Sequence, residues 1–110
     1  MARSALTIQQ VARTGIIPSY GAANVDGNSI SNDGQVFLHI KNGGASPINV
    51  TVQVPTQVDG MAITARVVAV ANASEKMIGP FPPNLFNQSD GSLYVDYSAV
   101  TTVTVAAVRL

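Results

Sequence analysis

His39 is the one imidazole in the chain and cysteine is absent, so few side chains could move a proton or attack an electrophile. A Ser-His-Asp relay needs its imidazole beside an activated serine and an orienting carboxylate. No G-x-S-x-G elbow or other spacing in the sequence delivers those partners. His39 instead shares a strand face with Phe37 and Lys41, the setting of a surface or interface histidine. Without cysteine there is no disulfide framework, no Cys-based zinc site and no thiol nucleophile.

The carboxylates point to turns more than to chemistry. Four of the five aspartates precede glycine, in Asp26-Gly27, Asp33-Gly34, Asp59-Gly60 and Asp90-Gly91. Asp-Gly suits a tight turn because both residues tolerate positive φ and the carboxylate accepts local backbone hydrogen bonds. Calcium would also use loop carboxylates. The stretch 26–34 has neither the D-x-[DN]-x-[DN]-G spacing nor a closing bidentate Glu. A glycosidase pair needs two carboxyls facing across a cleft, and these acids fall in turns. The glycines form no phosphate-binding loop and no dinucleotide fingerprint. N-x-[ST] triplets at Asn49, Asn72 and Asn87 read as products of an Asn- and Ser-rich composition. No catalytic residue, cofactor or metal site is expected, and the chain reads as a non-enzyme.

The elements that would carry such residues are strands. Ile48-Asn49-Val50-Thr51-Val52-Gln53-Val54 alternates apolar and polar without a fault, the pattern of a half-buried strand. Val36, Leu38 and Ile40 alternate with polar or aromatic residues just before it, and Leu93, Val95 and Tyr97 do the same later. The run 100–110 is rich in β-branched residues, with Val103, Val105 and Ala107 on one face and Ala106, Val108 and Leu110 on the other. A strand apolar on both faces belongs in the middle of a sandwich or at a subunit contact. Further strands are expected over 6–12, 63–70 and 76–81. Asn42-Gly43-Gly44 makes 35–41 and 48–54 the best hairpin candidate. Helix competes over 5–13 and 64–77, but Val67, Val68 and Val70 favour strand in the second. The reading is one all-β domain, a two-sheet antiparallel sandwich. Residues 1–32 form an arm with the first strand or strands, packed on or extending from a body at 33–110.

Charge narrows the choice of partner. Of 110 residues, 46% are hydrophobic and only 11% charged, and six basic side chains balance six acidic ones. Soluble domains average about 25% charged residues. A disordered tail would need low hydrophobicity and high net charge, and a nucleic-acid binder a clustered cationic excess. Neither is present. The first residues have no apolar stretch after Arg3, so a secretory signal is not expected, and no run approaches the ~20 apolar residues of a membrane span.

Ile78-Gly79-Pro80-Phe81-Pro82-Pro83-Asn84-Leu85-Phe86 is the most distinctive segment. Pro82-Pro83 favours an extended, preorganised backbone. The side chains Pro80, Phe81, Pro82, Pro83, Leu85 and Phe86 are therefore the candidate partner-binding residues, against the plainer reading of a crossover packed on its own sandwich. A glycan-binding module is a rival reading. It would draw on Tyr20, Phe81, Phe86, Tyr94 and Tyr97 as stacking platforms, although core packing also accounts for most of them.

Asn32-Asp33-Gly34, Val36-Phe37-Leu38, Lys41-Asn42-Gly43 and Ile48-Asn49-Val50-Thr51-Val52 together resemble a group of small tailed-phage and prophage virion proteins encoded near the major capsid protein. So do Val58-Asp59-Gly60, Gly79-Pro80-Phe81-Pro82-Pro83 and the Ser/Val/Thr pattern after Tyr97. The likeness covers residues 32–110. It implies a capsid decoration, or cement, protein with a jelly-roll-like sandwich. Such a protein binds the major capsid protein on the outside of the head after synthesis in the bacterial cytoplasm, and a homotrimer is favoured. Small head–tail connectors and tail subunits share such folds, so a connector or tail role is the alternative within the virion.

Overall fold

The computed structural model describes residues 3–109. Leu110 and the first two residues of the expected arm lie outside the described residues. The described residues are all-β apart from one turn of helix. Their strands are β1 (Ser4–Ala5), β2 (Ile8–Gln10), β3 (Gly21–Ala22), β4 (Asn28–Ser31), β5 (Val36–Asn42) and β6 (Ile48–Val52). There follow β7 (Gln57–Val58), β8 (Met61–Ala62), β9 (Arg66–Val70), β10 (Ser74–Ile78), the helix α1 (Pro83–Phe86), β11 (Ser92–Tyr97) and β12 (Val103–Arg109).

Two sheets form the sandwich. One runs β1-β4-β11-β6-β9; the other runs β10-β5-β12-β2, with β3 also on the β2 side of β12. Pairing is antiparallel except where β1 joins β4 and β2 joins β12. The inward residues form one core, among them Val36, Leu38 and Ile40 of β5, Val50 and Val52 of β6, Leu93 and Val95 of β11, and Val103, Val105 and Ala107 of β12. These are the apolar members of the period-two runs. Alternation places one face of each strand in the core, and burying it is the main favourable term. β12 is central, as its two apolar faces require. Its outer-face residues Ala106 and Val108 are also buried, and Ala106 lies in a recess shared with residues of the N-terminal segment.

The hairpin expected between 35–41 and 48–54 is not formed. β5 pairs with β12 and β10, whereas β6 pairs with β11 and β9. Residues 43–47 carry the chain from one sheet to the other. Alternation fixes which face of a strand is buried and not which strand lies beside it, and a five-residue link spans the ~10 Å between sheets as readily as it closes a hairpin. Strand limits shift as well. The expected 63–70 begins at Arg66, the expected 76–81 runs Ser74–Ile78, and 6–12 narrows to Ile8–Gln10. Pro80 ends β10 because it lacks the ladder N–H.

The Asp-Gly turns are present, with Gly27, Gly34, Gly60 and Gly91 all at positive φ. Only Asp59-Gly60 closes a two-residue hairpin, between β7 and β8, with φ of 52° and 74°. That combination fits a type I′ turn. Asp33 accepts from the Gln35 N–H at 3.0 Å, and Asp90 accepts from the Ser92 N–H at 3.0 Å and hydroxyl at 2.6 Å.

Five of the six links between consecutive main strands (β4, β5, β6, β9, β10, β11, β12) cross between sheets, and three buried asparagines tie these crossings together. Asn42 donates to the carbonyls of Ser46 (2.9 Å), Val70 (3.2 Å) and Ala71 (3.3 Å) and accepts from the Gly44 N–H (3.0 Å). Asn32 donates to the Phe81 carbonyl (3.0 Å) and to Asn87 Oδ1 (2.7 Å), while its Oδ1 accepts from Gly34 N–H (3.0 Å). Asn28 donates to the Ser4 carbonyl (3.0 Å) and accepts from the Tyr97 hydroxyl (2.6 Å). Burial, with the neighbouring Asp96 charge second, pushes the Tyr97 phenol above its ordinary pKa, which keeps it a donor to Asn28. Among the described residues no buried side-chain nitrogen or oxygen lacks a partner.

Removing one partner from such a set strands the others without water. Asn42→Ala is expected to cost about 1–3 kcal/mol, read as a lower urea midpoint at unchanged slope. An unchanged midpoint would show that the crossings hold without it. Acid provides a second check. The Ser92 hydroxyl and N–H hold the Asp90 carboxyl below its ordinary value, and the Gln35 N–H, then Arg109, do the same for Asp33. A carboxyl with a depressed folded-state pKa stabilises above about pH 4, and that contribution is lost as pH falls through the depressed value. The Asp33→Asn/Asp90→Asn variant should therefore have a shallower acid limb in a stability–pH series; a limb as steep as that of the parent contradicts the assignment.

Candidate functional site

The Pro-rich segment lies on the crossing from β10 to β11, at the open side of the sandwich between the edge strands β9 and β10. Its residues divide into two groups. Phe81 and Phe86 are buried in the core, their rings edge-to-face at 5.3 Å between centroids. Leu85 is half-buried against that core, and Pro80, Pro82 and Pro83 are exposed. The two phenylalanines therefore do not project toward a partner as anchors. Chain reversal at Pro82-Pro83 starts α1, with Pro83 in the first helical turn, where a missing N–H is harmless. The turn of helix returns the Phe86 side chain inward.

What the segment offers outward is a groove of about 360 Å³, lined by Pro80, Phe81, Pro82, Leu85 and Phe86 with Arg66 beside them. The groove follows from the strand pairing. Arg66 and Val68 occupy inward positions on β9, opposite Val52 and Val50 of β6, yet Arg66 is exposed and Val68 only half-buried. On β10, Lys76 likewise holds an inward position opposite Ile40 and is exposed. The two edge strands thus overhang the core. Gly79 fits the segment against β5: at φ +137°, a Cβ there would lie 2.9 Å from Phe37 Cβ and 3.1 Å from the Val36 carbonyl.

Beside the groove stands the β7–β8 hairpin, its base fixed by the Thr56 hydroxyl donating to the carbonyls of Asn84 (3.1 Å) and Leu85 (2.9 Å). Sequence reasoning treated Val58-Asp59-Gly60 as a turn and missed the apolar pair beside it. The signal was there in Val58 and Met61, which flank the turn and are both exposed.

His39 sits on the outer face of β5 beneath the N-terminal segment. Its Nδ1 is hydrogen-bonded to the Tyr20 hydroxyl at 2.6 Å, and its Nε2 lies 3.4 Å from a Glu75 oxygen. Lys41 Nζ stands 4.0 Å from the centre of the Tyr20 ring. The cluster joins residues 19, 36 and 55 positions apart in the chain, so no local spacing announces it. Its effect is to fasten Tyr20, and the segment leading into β3, onto the sheet. The adjacent recess of about 410 Å³ is bordered by Gln9 and Ser19, which close on each other through two hydrogen bonds. Those groups are spent on holding the segment, so the apolar groove at the open side is the better candidate for contact.

The other aromatics are engaged within the chain. Tyr94 lies under the Arg3 guanidinium at 4.3 Å, Arg3 pairs with Asp96 at 2.7 Å, and Gln53 donates to the other Asp96 oxygen at 2.6 Å. The four Asp-Gly carboxylates stay apart in their separate turns, and no metal-holding cluster occurs among the described residues. No helix among them is long and apolar enough to cross a membrane.

Comparison with family models, with curated proteins and with solved structures found no match to this chain.

The division of the Pro-rich segment is testable by substitution. Phe81→Ala should cost about 3–5 kcal/mol, as for a buried aromatic. Pro82→Ala should stay within about 0.5 kcal/mol, as for an exposed site. Thermal or urea unfolding measures both, and equal effects would refute the inward placement of Phe81.

Proposed function

We propose that the chain is a non-enzymatic phage capsid decoration protein that binds the outer surface of the head and stabilises contacts between major capsid protein subunits. The observation that carries this reading is a charge-poor sandwich, tied at its crossings, that leaves large apolar side chains in solvent. Ile17 is 94% exposed, Val25 70% and Met77 68%. Single exposed apolar residues are ordinary. Here they accompany a chain only 11% charged, and depletion of charge is a property of surfaces covered by neighbours. The resemblance carried by residues 32–110 to virion proteins encoded near the major capsid protein supports the same reading.

Such a protein works by mass action. A ligand that binds only the assembled, expanded shell stabilises that shell by an amount set by its free concentration over its dissociation constant. Rigidity helps, because an ordered scaffold has less entropy to lose on docking.

Expanded heads of the phage or prophage whose genome encodes the chain provide the test. The purified chain should co-sediment with them saturably, at icosahedral stoichiometry, and raise their melting temperature. Heads that leave the gradient bare overturn the proposal. Density confined to the unique vertex in particle images would assign a connector or tail role instead.

A further inference from the structure

We infer that the groove at the open side is the socket for the β7–β8 hairpin of a second copy of this chain, with Asp59 of one molecule paired to Arg66 of the other. Val58 and Met61 are directly opposed across the two-stranded ribbon, so their side chains leave from the same face. They are 59% and 67% exposed. Among the described residues the ribbon has no third strand, and an isolated two-stranded ribbon is marginal in water without a cover. The tight Asp59-Gly60 turn places one carboxylate at the tip of this apolar pair.

The socket matches in kind. Pro80 and Pro82 supply its exposed apolar wall with half-buried Leu85, the edges of buried Phe81 and Phe86 form its floor, and Arg66 brings one guanidinium. Neither Arg66 nor Asp59 has an ion-pair partner among the described residues, although Arg3, Arg109 and Asp96 do. One apolar pair with one carboxylate thus meets one apolar groove with one cation. Plain edge-to-edge strand pairing is the less fitting use of this side, because exposed charges at inward positions, Arg66 on β9 and Lys76 on β10, are a recognised guard against it.

Knob and socket adjoin, since Thr56 anchors the hairpin base to α1. Because they adjoin, knob and socket together make one self-complementary patch, which a two-fold axis passing between them closes with each hairpin in the other molecule's groove. A pair results, not the trimer implied by the resemblance. The inference does not rest on the capsid reading.

The experiment uses the full chain. Sedimentation velocity over a concentration series should show a monomer–dimer equilibrium. Asp59→Arg or Arg66→Asp alone should weaken it by about tenfold or more, as for loss of a close interfacial charge pair, with the circular dichroism melt unchanged at concentrations low enough to keep every chain monomeric. The doubly reversed chain should recover most of the loss. Because the chain has no cysteine, a mixture of Asp59→Cys and Arg66→Cys chains reports the contact directly. On mild oxidation of an equimolar mixture the mixed disulfide should exceed the two like pairs combined, which is the level random pairing gives. A chain that stays monomeric, a dimer indifferent to both charge variants, or mixed disulfides no more abundant than the two like pairs combined overturns the inference. So does a monomer whose Arg66→Asp variant fails to bind heads, which would give the groove to the capsid protein. Failure of head binding with dimerisation intact would remove the capsid reading alone.

Discussion

Satisfying amide groups at the corners of the sandwich is the constraint on which the rest of the structure depends. A chain that changes sheets at nearly every link must bury backbone carbonyls at the crossings, where no ladder partner is available. Asn32 and Asn42 each stand at the end of a core strand and bond to a second crossing, from β10 to β11 in one case and from β9 to β10 in the other. Asn28 does the corresponding work between β4, β1 and the end of β11. An asparagine is well suited because one short side chain both donates and accepts. Hydrophobic burial supplies most of the driving force, yet it would serve several strand orders about equally. The polar ties discriminate among them.

The groove is a by-product of the same economy of layers. The β10–β11 crossing is held inward by Asn32 and by the close approach of Gly79 to β5, so its phenylalanines fill the core. The edge strands β9 and β10 reach past that filling. Their inward positions 66 and 76 therefore fall in solvent, where arginine and lysine keep their hydration and cover apolar surface with their stems. A wider second sheet would have made both residues untenable.

Much of the fold was legible in the alternation of β5, β6, β11 and β12, because a half-buried strand leaves no other pattern. Strand partners were not legible. Periodicity is a property of one strand, whereas pairing depends on the length and stiffness of links such as 43–47. For Phe81 and Phe86 the sequence left both a partner-binding and a packed-crossover reading open, because proline neighbours suggest an extended segment while the one helical turn that brings Phe86 inward leaves no periodic signal. The buried asparagines were hidden in an Asn-rich composition: Asn42 and Asn32 look like turn residues, and they do serve turns, accepting from Gly44 and Gly34. Their second role reaches 28 to 55 residues away. The Tyr20–His39–Glu75 cluster was illegible for the same reason of distance.

β12 has a further significance in time. It is the last of the described strands in chain order, and β5, β2 and β3 all pair with it directly. The sheet they make has no centre until that strand is available, so β2 and β3 wait without a partner and β5, paired with β10, keeps its other edge open. Closing such distant contacts is slow, since loop entropy is lost before the pairing energy returns. During that interval the inward charges on β9 and β10 have their greatest value, deterring strand-to-strand association between incomplete molecules. Side chains that look wasteful in the finished sandwich are then a safeguard for the unfinished one.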